Sequence, residues 1–179
     1  MQTGSHQTGI HQTGTLHIRT EGPDEAAAIS ELTTRAFAAT EHADGTEAQI
    51  IERLRTAGAL TVSLVAEEKG TLIGHVAVSP VEVDGHHGWQ GLGPISVAPE
   101  RQRSGIGTAL MRAALAELRA AHAQGVVLAG NPAFYRRFGF RRAPALKLTG
   151  IRPEALLALP FGTELPEGVL RYHPAFGLE

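Results

Sequence analysis

The sequence contains no cysteine, one tryptophan, two tyrosines and two methionines among its 179 residues. The absence of cysteine excludes disulfides, a zinc ribbon and a thiol nucleophile. Scarce aromatics leave few platforms on which bases could stack, and the net charge of −2 is wrong for a protein built to coat nucleic acid. No uncharged apolar stretch approaches the roughly 18 residues of a membrane span. The N-terminus lacks a basic segment followed by an apolar one, so no secretory signal is expected. A reducing, cytoplasmic setting fits the missing thiols. What is present is globular in composition: 42% hydrophobic and 19% charged residues in 18.9 kDa. That suits one domain able to bury roughly two-thirds of its unfolded surface.

Charge is unevenly placed. Residues 1–100 carry 5 basic and 13 acidic side chains, and residues 101–147 carry 9 basic ones against Glu117 alone. Such asymmetry points either to an anionic ligand near the middle of the chain, with a cationic partner for the acidic part, or to arginines on solvated helix faces.

Residues 1–14 repeat Gln-Thr-Gly three times, twice within His-Gln-Thr-Gly. With little to bury, they are expected to form a disordered or tag-like tail whose histidines lack metal-ligand spacing. Regular patterning occupies 15–179, read as a single domain. Alternation and turn residues predict strands at 16–20, 61–67, 71–83 and 89–97, with Pro80 marking an edge or bulge. Helical spacing predicts helices at 26–39, 47–57 and 104–124. The last would have a buried stripe of Ile106, Leu110, Ala114, Leu118 and Ala121 and would end at Gly125. A β-branched run predicts a buried strand at 125–129, then a short helix at 132–138 and final strands at 140–148 and 169–172. Only the strand–helix–strand unit within 92–129 demands parallel pairing, in one mixed α/β layer structure.

Chemistry concentrates where the strand ending Val97-Ala98-Pro99 meets the loop Arg101-Gln102-Arg103-Ser104-Gly105-Ile106-Gly107-Thr108 and a long helix. First-turn amides have no intrahelical partner, and the helix dipole makes that end positive. Two phosphates could rest on that backbone beside Arg101 and Arg103. Alternatively, Gly105 and Gly107 serve only to bring helix and sheet close together. No Gly-Lys-Ser/Thr follows, and no third glycine completes a dinucleotide fingerprint.

Gln102-x-x-Gly105-x-Gly107, after Val97-x-Pro99 and before Ala109-Leu110-Met111, resembles the acyl-CoA signature of the GNAT superfamily of N-acetyltransferases. The resemblance implies that Gln102, Arg103, Ser104, Gly105, Ile106, Gly107 and Thr108 surround the CoA phosphates. It implies that the strand backbone at Ile95, Ser96 and Val97 runs along the pantetheine, with the Ile95 N–H donating to the thioester carbonyl. The segment Asn131-Pro132-Ala133-Phe134-Tyr135-Arg136-Arg137-Phe138-Gly139-Phe140 is similar to the family's next element. By that likeness Asn131 binds the pantetheine amide, Phe134 and Arg137 lie near the cofactor, and Tyr135 is the general acid. Without the likeness, Tyr135 reads equally as a core residue with its hydroxyl at the rim.

The family likeness implies a mixed α/β (α+β) fold. Its sheet would be central, mixed and mostly antiparallel, of about six or seven strands flanked by about four helices, with parallel strands splayed around the acyl-CoA site. It also implies acetyl-CoA as acyl donor, no metal, no nucleic acid and no membrane. The acceptor would be a primary amine of a small molecule or protein, and the enzyme a monomer or homodimer. Most alkylamines are protonated near neutrality, so a base or water chain is needed. No acid lies on strand 89–97. The candidates are Glu41, His42 and Asp44 in a loop, Glu82, and His75 on an apolar strand; His86 and His87 read as turn residues. The missing acid leaves open a catalytically silent acyl-CoA-binding module.

Overall fold

The computed structural model describes residues 15–41, 43–162 and 164–178. The expected tail at 1–14 and the candidate base His42 lie outside them.

Ten strands and four helices follow in chain order: β1 (His17–Thr20), α1 (Ala26–Phe37), α2 (Glu47–Thr56), β2 (Val62–Glu68), β3 (Thr71–Pro80), β4 (Glu82–Val83), β5 (Trp89–Val97), α3 (Ile106–Ala120), β6 (Gly125–Ala129), α4 (Pro132–Tyr135), β7 (Arg141–Arg142), β8 (Leu146–Lys147), β9 (Leu156–Pro160) and β10 (Gly168–Arg171). Seven strands form one sheet in the order β1-β2-β3-β5-β6-β9-β7, and β4-β10-β8 form a small second sheet. Within the large sheet only β5–β6 pair in parallel.

Alternation along β2 and β3 sorts their side chains onto two faces. Val65 and Ala77 pack with Ile29 of α1 and Ile51 of α2. Leu64, Ala66, Val76 and Val78 join Ile106, Leu110, Ala114 and Leu118 of α3 in the main core. Helices thus cover both faces of the central strands.

Several expectations need correction. The strand expected at 71–83 stops at Pro80, the last residue of β3 to pair with β5. β3 is a central strand flanked by β2 and β5, so Pro80 ends it instead of marking an edge, and Glu82–Val83 enter the small sheet. The strand expected at 140–148 is two short pieces, β7 and β8, in different sheets. The helix expected at 104–124 is shorter, Ile106–Ala120. Gly105, at φ 86°, precedes it. His122, at φ 58°, closes it, with Ala123 N–H donating to Leu118 O at 3.0 Å and His122 N–H to Arg119 O at 3.0 Å. A left-handed residue at this place is a common helix stop. Ala121 therefore lies beyond the helix and is exposed, while Met111 and Leu115 complete the buried face. Gly125 opens β6 and does not terminate α3. A Cβ there would stand 2.5 Å from the Trp89 ring and 2.6 Å from Leu159 O, so only glycine lets the strands approach. The short helix expected at 132–138 is one α-turn continued by a 3-10 turn, Arg136–Phe138, stopped by Gly139 at φ 96°.

β9 was not anticipated. Leu156-Leu157-Ala158-Leu159 is buried on both faces, so no polar alternation marks it, and its residue types favour helix when taken alone.

Candidate active site

The site begins where the sheet splits. β5 and β6 pair only at Trp89–Gly125, Gln90–Val126 and Gly91–Val127. Against β3, Val76 faces Ile95 while Val78 faces Leu92. β5 therefore carries one extra residue around Gly93–Pro94, a bulge that bends the strand. Among the described residues, its far edge has no strand partner from Leu92 onward. The Ala98 N–H donates to Ile73 O of β3 at 2.9 Å. Alternation along an antiparallel ladder then turns the N–H and C=O groups of Val97 and Ile95 the other way, into the gap. In keeping with this, Gln102 Nε2 donates to Val97 O at 3.3 Å. Ser96 is different: it is buried, its hydroxyl donates to Thr33 Oγ1 at 3.2 Å, and its backbone faces β3. It stands beside the gap and reaches into it with neither side chain nor amide.

A cavity of about 550 Å³ occupies the gap's lower part. One wall is Ile95 and Val97. The floor is Gln102, Arg103, Gly105, Ile106, Gly107 and Thr108, at the start of α3. Phe134 and Arg137 form the opposite side, with the guanidinium of Arg137 4.8 Å from the Phe134 ring centre and its Nε donating to Phe134 O at 3.0 Å. Arg101 also lines the cavity, although the family likeness gave it no role. It is held by Glu68, 2.5 Å away. Among the described residues, no carboxylate lies within 4.0 Å of Arg103 or Arg137, so their charge faces an incoming anion undiminished. Ser104 is exposed, donates to the Arg101 carbonyl, and does not line the cavity.

The two glycines have separable reasons. Gly105 has φ 86°, a conformation that any side chain strains. Gly107 has no such conformation. A Cβ there would meet nothing nearer than Phe134 Cζ and Val97 Cγ2, both at 3.8 Å. Close helix–sheet packing therefore does not require Gly107. What its bare α-carbon keeps open is the cavity, and the free first-turn amides point there. The residues present fit a pyrophosphate.

A second cavity, of about 420 Å³, shares Ile95 with the first and lies above it. Leu92, Pro94, Ile151 and Phe176 supply apolar surface, while Glu47, Tyr135 and Tyr172 supply polar groups. Tyr135 sits on α4, edge-on to Phe134 at 4.9 Å and Phe140 at 5.9 Å, and burial pushes its hydroxyl up to about 12. Tyr172 packs over Gly91, where a Cβ would come within 2.7 Å of its ring. Burial, and then the neighbouring Tyr135, push its hydroxyl higher still. Asn131 caps α4, with its side-chain oxygen accepting from Ala133 N–H at 2.9 Å. Its NH₂ group can still donate to another partner.

The candidate bases scatter. Glu41 is an exposed loop residue and Glu82 an exposed residue of β4. Asp44 accepts from Thr46 N–H at 2.9 Å and from the Thr46 hydroxyl. It lines a smaller hollow of about 300 Å³ that shares Phe37 and Glu47 with the second cavity. His86 and His87 occupy the β4–β5 turn.

His75 is fully buried on the α1–α2 face, away from both cavities. Its Nε2 lies 2.8 Å from Ser63 Oγ, whose hydroxyl donates to Glu21 Oε2 at 2.7 Å. Nε2 must then carry the proton and donate. Nδ1 has no partner among the described residues. Desolvation drives the imidazole down to about 4, so His75 is a neutral core residue and no base. The unfolded chain accepts this proton near the ordinary value of about 6.5, while the folded chain resists it. Stability should therefore fall as pH drops from about 6.5 to about 4, by on the order of 3 kcal/mol. His75→Gln keeps a donor for Ser63 but cannot titrate. Urea unfolding across this range should show a flatter pH dependence in the variant, and equal slopes would remove His75 as the cause.

Residue Glu47 escaped the sequence reading, because the first residue of a helix usually serves the dipole. Its only signal was membership of the acidic first half.

Comparison with known proteins agrees with this geometry. Residues 60–142 match the acetyltransferase (GNAT) domain. The chain is 38% identical over 128 residues to the uncharacterized N-acetyltransferase YhbS of Escherichia coli strain K12, spanning 70% of this chain and 74% of that protein. A GNAT family acetyltransferase from Brucella melitensis, solved in complex with acetyl-CoA, superposes with a TM-score of 0.81 at 45% identity over 91% of this chain and 99% of the other. YhbS in complex with CoA superposes with a TM-score of 0.82 at 32% identity, over 92% and 93% of the two chains. A split sheet, an open glycine-lined helix start and relatives of this identity over most of both chains lead to one statement: the chain belongs to the GNAT superfamily of acetyltransferases.

Proposed function

We propose that the chain transfers the acetyl group of acetyl-CoA directly to a primary amine, both substrates being bound at once. The observation that carries this is the meeting of two cavities at Ile95, on the strand edge that loses its partner. The lower cavity receives the CoA. Its phosphates rest on the amides of Gly105 to Thr108 beside Arg103 and Arg137. Its pantetheine pairs with the backbone of Val97 and Ile95 as an added strand would, and the NH₂ of Asn131 remains for a pantetheine carbonyl. The Ile95 N–H donates to the thioester carbonyl, stabilising the oxyanion as the amine attacks. The acceptor occupies the upper cavity.

In the reaction the amine N–C bond forms and the thioester C–S bond breaks. An ammonium substrate gives up two protons on its way to the amide; one ends on the CoA sulfur, with the Tyr135 hydroxyl as the donor, and the other reaches solvent.

The test is release of CoA thiol from acetyl-CoA with pooled primary amines. Amine-dependent release with an acetylated product is the expected result. Acetyl-CoA binding with no release from any amine would sink the transfer reading and leave an acyl-CoA-binding module.

A further inference from the structure

Resting on acetyl transfer at this site, we infer that the acceptor is a small arylalkylamine, a single ammonium on an aromatic body, and that Glu47 receives the ammonium and takes its first proton.

Three observations support this. First, both tyrosines of the chain and two of its six phenylalanines line the upper cavity, as Phe37, Tyr135, Tyr172 and Phe176. That is a strong concentration in a chain with 5% aromatic residues, and aromatic walls favour a flat ring at stacked or edge-on distances. The volume of about 420 Å³ lies at the small-ligand end of the usual range. Its walls come from α1 and α2, β5, β6, α4, the segment after β8 and the segment after β10, so several elements would hold the acceptor.

Second, among the described residues Glu47 is the one carboxylate in that wall. Glu21, Glu25, Glu52, Glu67, Glu68, Glu100 and Asp84 each lie against an arginine. Among the described residues no cation lies within 4.0 Å of Glu47, and it is half-buried. A lone carboxylate against apolar surface lowers its cost by taking a cation. Among the described residues, the other titratable groups facing this space are Tyr135 and Tyr172 within it and Asp44 in the adjoining hollow. None of them is cationic.

Third, that hollow runs from Asp44 to Glu47 and shares Phe37 with the cavity. Asp44 thus adds a second carboxylate next to the base. With one acid inside, one ammonium is matched; the second charge of a diamine would be stranded on apolar wall. The Glu47 carboxylate takes one proton from the ammonium, the neutral nitrogen attacks the thioester carbon, and Glu47 returns the proton to water along the Asp44 side.

The experiment compares 2-phenylethylamine, putrescine and Nα-acetyl-lysine methylamide as acceptors, with calorimetry of each on the CoA-saturated protein. For 2-phenylethylamine, kcat/KM should exceed that of the other two by about tenfold or more, a margin that apolar contacts can supply. Glu47→Gln should fold, judged by an unchanged melting temperature. It should lose about a hundredfold or more in kcat/KM near pH 7, with the loss shrinking as pH approaches the ammonium's own value of about 10. Phe176→Leu should raise KM for 2-phenylethylamine more than for putrescine. Preference for putrescine or the lysine derivative, with transfer intact, overturns the inference and leaves the proposed function standing. So does a Glu47→Gln variant with wild-type rates. No transfer to any amine and no binding of 2-phenylethylamine overturns both.

Discussion

Tyr135→Phe is expected to lose between about tenfold and ten-thousandfold in kcat, the range that a positioned acid supplies, with acetyl-CoA affinity nearly unchanged. The substitution keeps the ring, which packs edge-on to Phe134 and Phe140, and removes only the hydroxyl. Burial raises the hydroxyl to about 12, with two consequences. The proton is present at every pH where the enzyme would work, so Tyr135 should not limit kcat on the alkaline side below about pH 11. It is also held tightly: complete transfer to a thiolate of ordinary pKa near 8.5 would be uphill by about 5 kcal/mol. The hydroxyl therefore acts chiefly as a hydrogen-bond donor to the charge developing on sulfur. The measurement is kcat against pH for both forms with any acceptor that turns over. Wild-type rates in Tyr135→Phe would return Tyr135 to packing and move the acid role to Tyr172, which faces the same cavity.

Gly107→Val should abolish acetyl-CoA binding without unfolding the chain. The backbone there suits any L residue, and a Cβ meets only ordinary contacts at 3.8 Å, so the added methyls project into the cavity. At a concentration one hundred times its dissociation constant, acetyl-CoA stabilises the wild type by about 2.7 kcal/mol. That corresponds to a rise of roughly 5–11 °C in melting temperature for a domain of this size. A hundredfold weaker complex leaves about 0.4 kcal/mol at the same concentration, close to the limit of detection. Gly107→Ala should fall between the two. A full shift in a folded Gly107→Val would show that the phosphates lie elsewhere.

The glycine loop could be read without a structure because its chemistry is contiguous. Free amides at a helix start, the glycines among them and the flanking arginines are neighbours in the chain, and the structure puts Gln102, Arg103, Gly105, Ile106, Gly107 and Thr108 on one cavity wall. The packing alternative for Gly107 could be rejected only once the distances around its α-carbon were known. Ser96 and Ser104 show the opposite case. Both fall inside the motif, yet one faces α1 and the other bonds back to Arg101. Strand parity and loop curvature decide which members of a motif line the cavity.

By itself the sequence determined the elements whose patterns are local: β5 at its observed bounds, β6 from its β-branched run, the parallel pairing that one strand–helix–strand unit imposes, and the glycine loop at the start of α3. Tertiary structure decided the rest. β9 is buried on both faces and carries no alternation. The small sheet joins strands from three distant parts of the chain. The bulge at Gly93–Pro94 opens a gap only because β6 stops pairing at Val127. The upper cavity is assembled from α1, α2, β5 and the C-terminal segment, so the proximity of Glu47 to Tyr135 exists in no window of sequence. Periodicity reports what one segment buries; which segments then face each other across a cavity is set by how the whole core packs.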